Sequence, residues 1–427
     1  MGLIVFLFVL LMILGAPFAF TLSAPAIIYL IIYHPNLLPV VPLKMFRGLD
    51  SYTLLALPFF ILAGNTMSRS GITQKLLAFS DQLVGKLPGG LAHVNVVVST
   101  FFGGISGAAL ADVASEGPII IPAMVKQGYG LNFSCALTSA TSIQSPLIPP
   151  SNFMVLYASV TGASIGALFL SGIVPGLTIA LSDMVIIFYL AKKRNWPRNL
   201  EKMSLKGLVS TFLDALPALG MPAIILGFIL GGLTTPTESA AIAVVYAVVV
   251  SIFYYRTLNV RQIPGILMDT LTTCSILLFI LAGSRTMAWV FEMEGLPMVL
   301  TNFLLSISSN INVILLLINI SLFIGGCLIE SGALLILLAP ILHPIMIKMG
   351  VNEIHFGLVF VLNIVLGLIT PPVGLCNFAA AAIGRTSVEG VSKEIIPFAI
   401  VGFIILIIIT YFPETVLFIP RISGFLE

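Results

Sequence analysis

Two prolyl doublets carry the first chemical signal in this chain. Pro149-Pro150 sits in Ser145-Pro146-Leu147-Ile148-Pro149-Pro150-Ser151-Asn152, and Pro371-Pro372 in Gly367-Leu368-Ile369-Thr370-Pro371-Pro372-Val373-Gly374. Each lies near the middle of a long apolar run. Proline has no N–H to donate and pushes the residue before it out of helical conformation, so a Pro-Pro step opens a helix and frees carbonyls. Unsatisfied carbonyls are costly in lipid, and such backbone survives only inside protein or beside a cavity. Carbonyls at the C-terminal end of a half-helix, with a Ser or Thr oxygen beside them, suit a hard cation such as Na⁺. The N-terminal ends of half-helices offer N–H groups and a positive dipole to an anion.

The doublets are 222 residues apart, and other features repeat at the same spacing. Phe101-Phe102-Gly103-Gly104 returns as Phe323-Ile324-Gly325-Gly326, Pro118 as Pro340, and the run Pro122–Gly128 as Pro344–Gly350. Upstream, Phe60–Gly64 matches Phe279–Gly283 and Pro17 matches Pro236, at a separation of 219. Paired Gly and Pro interruptions in two halves of an apolar chain point to a transporter's binding site. The glycines lie at the centres of two apolar stretches, 88–126 and 310–348. Neither has the polar turn that two full crossings would need, so each is predicted to be a re-entrant hairpin with a mid-membrane tip.

These elements predict two cation sites. The first lies between the tip Gly103–Gly107 and the first break, with Gly103, Gly104, Ser106, Ser145 and Pro149 around the ion. The second lies between the tip Gly325–Gly332 and the second break, with Gly325, Gly326, Gly367, Thr370 and Pro372. Substrate is expected between them, against Ser106, Ser151, Asn152, Ser331 and Asn377. The competing explanation is that these Gly and Pro residues only allow close packing and kinks. Two breaks, each matched to a glycine-rich tip at one spacing, favour a site.

Composition sets the solvent. Of 427 residues 59% are hydrophobic and 8% charged, against about 25% charged in soluble domains. So few charges cannot cover a water-facing surface, and lipid is the predicted solvent. A net charge of +2 gives no reason to expect nucleic acid. Cys135, Cys274, Cys327 and Cys376 lie in apolar runs without a CxxC pair and read as small core residues. The N-terminus lacks a basic n-region and reads as a retained membrane segment.

Spans of about 20 apolar residues are predicted near 16–33, 52–70, 131–160, 163–190, 210–232, 236–255, 264–287, 352–382 and 394–418, with a shorter run at 3–14. Segments 73–86 and 294–306 are amphipathic and read as interfacial arms. Lys192, Lys193, Arg194, Arg198, Lys202 and Lys206 face one acid, Glu201, in the central loop, which is therefore predicted to be cytoplasmic. Counting outward from it, Arg69, Lys75, Arg256, Arg261, Arg385 and Lys393 also fall inside. The first hairpin then enters from the cytoplasm and the second from outside, so the halves are inverted repeats.

Charges within the membrane remain. Asp112 and Glu116 stand one turn apart, for a polar network or a coupling role, and Glu330 lies at the second tip. Arg285 can face a substrate carboxylate or a nearby acid such as Glu292 or Glu294. Glu238 follows Pro236 and reads as a helix cap. No HExxH, GxSxG, Walker lysine or nucleophile–base pair is present, and the four histidines lack metal spacing, so no catalytic residue is predicted.

In Phe101–Gly107, Pro149–Asn152, Thr235–Glu238 and Gly367–Gly374 the chain resembles the large membrane subunit of the tripartite ATP-independent periplasmic (TRAP) transporters. The resemblance covers essentially the whole length. It implies the ion-transporter superfamily architecture, an all-α polytopic protein of the bacterial inner membrane with a scaffold and an elevator-like transport domain. On that pattern 1–87 holds scaffold helices and the first arm, 88–190 the first transport half, and 191–209 the basic linker. Residues 210–308 hold further scaffold and the second arm, and 309–427 the second transport half. The resemblance also implies Na⁺ as the coupling ion, at two sites or more, and a carboxylate substrate such as sialic acid or a C4-dicarboxylate. Its implied partners are a small four-helix membrane subunit, encoded separately, and a periplasmic binding protein. A single-component Na⁺/carboxylate symporter differs by needing no binding protein, and a channel by showing unitary currents.

Overall fold

Glycine, proline and short polar caps cut the apolar sequence into helices. The computed structural model describes residues 2–196 and 205–426, and among them there is no strand. The first half contains α1 (Gly2–Ile13), α2 (Phe18–Tyr33), α3 (Val40–Leu49), α4 (Ala56–Arg69) and α5 (Ile72–Val84). A helix pair follows, α6 (Gly90–Ser106) and α7 (Ala109–Lys126), then α8 (Leu131–Ser142), α9 (Asn152–Thr161) and α10 (Ile165–Arg194). The second half contains α11 (Leu205–Leu230), α12 (Pro236–Val249), α13 (Ile263–Met293) and α14 (Leu296–Ile307). Its own pair is α15 (Ile311–Leu328) and α16 (Ser331–Lys348), followed by α17 (Glu353–Gly367), α18 (Leu375–Gly384), α19 (Val388–Tyr411) and α20 (Glu414–Ile422).

Caps fix where the helices begin. Thr235 and Glu238 form a reciprocal capping box with Pro236 at the first helical position, which is the role read for Glu238. Ser151, Ser164, Asn352 and Ser387 each accept a backbone N–H at their helix starts. Seven helices among the described residues are long and apolar enough to cross a membrane. Apolar side chains such as Leu181, Val185, Leu213, Val245 and Met268 point outward, as lipid-facing residues do. The twelve residues of α1 span only about 18 Å.

Three elements depart from the predicted spans. Helix α3 was not anticipated; it meets the following segment Thr53–Arg69 at a 60° bend, because Asp50 and Ser51 interrupt the apolar run. The run predicted over 394–418 begins earlier, at Val388, where Glu389 and Lys393 pair at 2.8 Å one turn apart and continue the helix through polar sequence. It stops at Tyr411, before Pro413, and α20 is a separate amphipathic helix. Of the basic central loop, Arg198, Glu201 and Lys202 lie outside the described residues.

The packing crosses between halves. Helix α2 lies on α13, and α4 on α12. Within the halves α6 lies on α8 and α15 on α17, whereas α9 packs on α16 and α18 on α7. Two buried bonds tie this crossing: Tyr157 Oη to His343 Nδ1 at 2.8 Å, and Ser139 Oγ to Asn377 Oδ1 at 2.7 Å. Phe102, Phe133, Phe169, Phe356 and Phe360 fill the core around them.

Candidate substrate and cation site

Both predicted breaks exist, and both Pro-Pro bonds are cis. In the first half the end of α6 presses onto the break between α8 and α9. A Cβ at Gly103 would stand 3.0 Å from both Cα and Oγ of Ser145. Gly107 has φ of +61°, and a Cβ there would come within 2.4 Å of the Pro150 carbonyl oxygen. Gly104 instead approaches Pro222 of α11, with the Pro149 carbonyl at 3.5 Å. Glycine at 103 and 107 is thus a condition of the close approach.

Asp112, buried on α7, accepts hydrogen bonds from Ser106 and Ser145 and so joins the tip to the break. Asn152 completes the junction. Its N–H donates to the Gly107 carbonyl at 3.2 Å, and its Nδ2 to the Ser106 carbonyl at 3.3 Å. Ser151 is turned inward: its Oγ donates to the Pro146 carbonyl at 2.6 Å and caps α9 by accepting from Met154.

The second junction has the same parts and different chemistry. A Cβ on Gly367 would lie 2.4 Å from the Gly326 carbonyl oxygen. The Val373 N–H donates to the Cys327 carbonyl at 3.3 Å, and Thr370 Oγ1 to the Leu366 carbonyl at 2.7 Å. Asn377 Nδ2 donates to the Ile369 carbonyl at 2.6 Å, and Ser331 Oγ to that of Ile364 at 3.0 Å. Gly325 does not face this break. Its nearest side chain is Leu334, 3.0 Å from where a Cβ would stand. Leu334 occupies the position that Asp112 holds 222 residues earlier. Pro372, exposed, borders a separate apolar cavity of about 610 Å³ against α19.

A second cavity, of about 490 Å³, opens at the first tip. Of the five predicted substrate residues it is lined by Ser106 and Asn152; Ser151, Ser331 and Asn377 are engaged elsewhere, in the bonds given above. Its other polar lining comes from Asn65 and Ser68 of α4, Ser115 of α7, Thr273 of α13 and Glu330. The sequence reading missed Asn65 and Ser68. The signal was their spacing, which puts two polar side chains on one face of an apolar helix.

The two helix N-termini at the tips differ. Ala108 precedes α7 and offers no side-chain cap, so the first N–H groups of α7, at Ala109, Leu110 and Ala111, lack side-chain acceptors; all three residues line the cavity. At α16 the Glu330 carboxylate already accepts from Gly332 and Ala333, at 2.9 and 2.7 Å. Arg285 does not line the cavity. Its Nη2 donates to the Ser159 carbonyl at 3.3 Å, and among the described residues it forms no ion pair.

The sequence profile described as the tripartite ATP-independent periplasmic transporter, DctM component, matches residues 4–415. The sialic acid TRAP transporter large permease protein SiaM of Vibrio cholerae is 36% identical over 411 residues, 96% of this chain and 95% of that protein. The C4-dicarboxylate TRAP transporter large permease protein DctM of Pseudomonas aeruginosa is 35% identical over 395 residues, 92% of each. Among solved structures, the YdaH transporter of Alcanivorax borkumensis shares the fold, with a TM-score of 0.64 at 14% identity over 89% of this chain and 88% of that one. With the profile spanning nearly its whole length, the chain belongs to the DctM family, the large permeases of TRAP transporters, and is a multi-pass protein of the bacterial inner membrane.

Proposed function

We propose that this permease takes up an organic carboxylate by Na⁺ symport with elevator-type alternating access. The observation that carries the reading is the cavity at the first tip, where an uncapped helix N-terminus and the polar side chains of Asn65, Ser68, Ser115 and Asn152 meet beside a broken helix, with the lining carboxylate Glu330 held by the N–H groups of Gly332 and Ala333. Among the described residues no Lys or Arg lines it. The positive potential for a carboxylate therefore comes from the α7 N–H groups, which favour an anion by about 0.3–1 kcal/mol when exposed and by more when partly buried. Asn65, Ser68, Ser115 and Asn152 supply hydrogen bonds to the rest of the molecule. A volume of about 490 Å³ suits a small acid. The named relatives transport sialic acid or C4-dicarboxylates, and this chain is assigned the same substrate class.

Na⁺ binds at the two junctions. At the first, Ser106, Ser145 and Asp112 gather oxygens beside the carbonyls of the break; at the second, Thr370 and the carbonyls of 366–370 do so. The halves act as inverted repeats. Contacts between them support this, because they join ends that the basic loops place on one side: Lys75 with Asp214 and Arg194 with Glu394 inside, and His34 with Glu294 outside. The pairs α6/α7 and α15/α16 with the broken helices form the moving unit over 88–190 and 309–427. The remaining helices form the scaffold. A tripartite system supplies two partners, a small membrane subunit beside the scaffold and a periplasmic protein that delivers substrate.

Ser68 of α4 and Ser115 of α7 test the motion, since their hydroxyls lie 2.5 Å apart across the proposed scaffold–transport boundary. Cysteines at both positions should form a disulfide on mild oxidation and arrest uptake, and reduction should restore the rate of the same double-cysteine variant before oxidation. Uptake at the native rate in the cross-linked protein would contradict the elevator reading.

A further inference from the structure

The first half contains a second buried acid that the two junctions leave unused. Glu116 lies on α7 one turn from Asp112 and is 1% exposed. Its Oε2 is 2.8 Å from Ser99 Oγ, and its Oε1 is buried with no hydrogen-bond partner. Among the described residues no Lys, Arg or His pairs with it. Ser99 Oγ is 2.9 Å from Thr141 Oγ1, which is 3.3 Å from Asn95 Oδ1. Asn95 Nδ2 donates to Thr138 Oγ1 at 2.9 Å, which turns the amide oxygen toward the group.

We propose that Glu116, Ser99, Thr141 and Asn95 form a further Na⁺ site, one helical turn from the Asp112 junction. This rests on the Na⁺ coupling proposed above. The donor set is all oxygen, the preference of hard cations. Neighbouring oxygens 2.8–3.3 Å apart are spaced as adjacent ligands of an ion with metal–oxygen distances of about 2.4 Å, the range of Ca²⁺, an ion of nearly the same radius. One carboxylate matches one monovalent charge, and a bound cation offsets the cost of burying that carboxylate alone. It also relieves the repulsion between Glu116 and Asp112.

The second half lacks the site. Positions 222 residues on from Asn95, Ser99, Glu116 and Thr141 are Leu317, Ser321, Leu338 and Asn363. The carboxylate has become a leucine. Ser321 bonds its own helix at Leu317, and Asn363 is taken by Asn319. The second half carries leucine at the equivalent position, which makes Glu116→Leu an informative variant.

Equilibrium binding of radioactive Na⁺ to the purified permease, with its small subunit if that is needed for stability, reads the site directly. Glu116→Leu should bind one Na⁺ fewer per molecule than the native protein, and the Na⁺ dependence of uptake should lose about one ion of steepness. Glu116→Gln keeps an oxygen but loses the charge, and should raise the half-saturating Na⁺ for that ion at least tenfold. It also decides the matter should the leucine variant fail to fold. An unchanged Na⁺ count and affinity in these variants would overturn the site, including where uptake gains or loses a pH dependence, which would assign the carboxyl a proton instead. A native protein that binds no Na⁺ would overturn the coupling reading itself, a result distinct from a native count that the variants leave unchanged.

Discussion

Gly367→Ala should abolish Na⁺-driven uptake in a protein that still reaches the membrane. The added Cβ would stand 2.4 Å from the Gly326 carbonyl oxygen and 2.5 Å from its carbon. Both neighbours are backbone, so no side-chain rotation relieves the contact. Either α15 or the break must move, and the cost is that of overpacking, about 1–3 kcal/mol. A displacement near 1 Å at a positioned site can lower a rate about a hundredfold. Gly325→Ala is the control. There the Cβ meets only the end of Leu334, at 3.0–3.2 Å, and uptake should stay within a few-fold of native. Uptake measured at matched expression would refute the geometry if the two variants behaved alike.

The second large effect belongs to Asp112. Ser106→Ala and Ser145→Ala each remove one donor to this buried carboxylate. Each hydroxyl is also a proposed oxygen ligand of the ion, and losing one polar contact to a charged group costs about 1.5–3 kcal/mol, where each 1.4 kcal/mol is about tenfold in an equilibrium constant. Each variant should therefore raise the half-saturating Na⁺ about tenfold or more. The double variant should fall short of the product of the two effects, because both hydroxyls serve one group. Titration of uptake against Na⁺ at saturating substrate measures this. Unchanged Na⁺ half-saturation in both single variants would remove Asp112 from the first cation site.

The sequence made some of this legible because its strongest signals are backbone signals. Glycine and proline declare where helices end, so the breaks at 149–150 and 371–372 and the two helix pairs could be read directly, and amphipathic patterning exposed α5 and α14. What escaped was side-chain direction. Nothing in the repeat tells that Ser331 turns to the Ile364 carbonyl while Ser106 reaches both the cavity and Asp112. Gly325 differs from Gly103 in its surroundings: a Cβ there would meet Leu334, which stands where Asp112 stands in the first half, a difference outside the glycine motif. The contribution of α4 to the cavity was hidden for another reason. Asn65 and Ser68 are distant in sequence from both tips, and only tertiary packing brings them to α7. Helix α3 was missed because ten residues with Lys44 and Arg47 among them do not resemble a span.

Transport coupled to Na⁺ at the two junctions is the central claim, and vesicle uptake tests it most directly. The permease, reconstituted with its small subunit and supplied with its periplasmic binding protein, should accumulate a radiolabelled carboxylate against its gradient when Na⁺ is high outside. With Na⁺ equal on both sides, or replaced by K⁺, accumulation should vanish. Equal accumulation with and without a Na⁺ gradient would contradict the account.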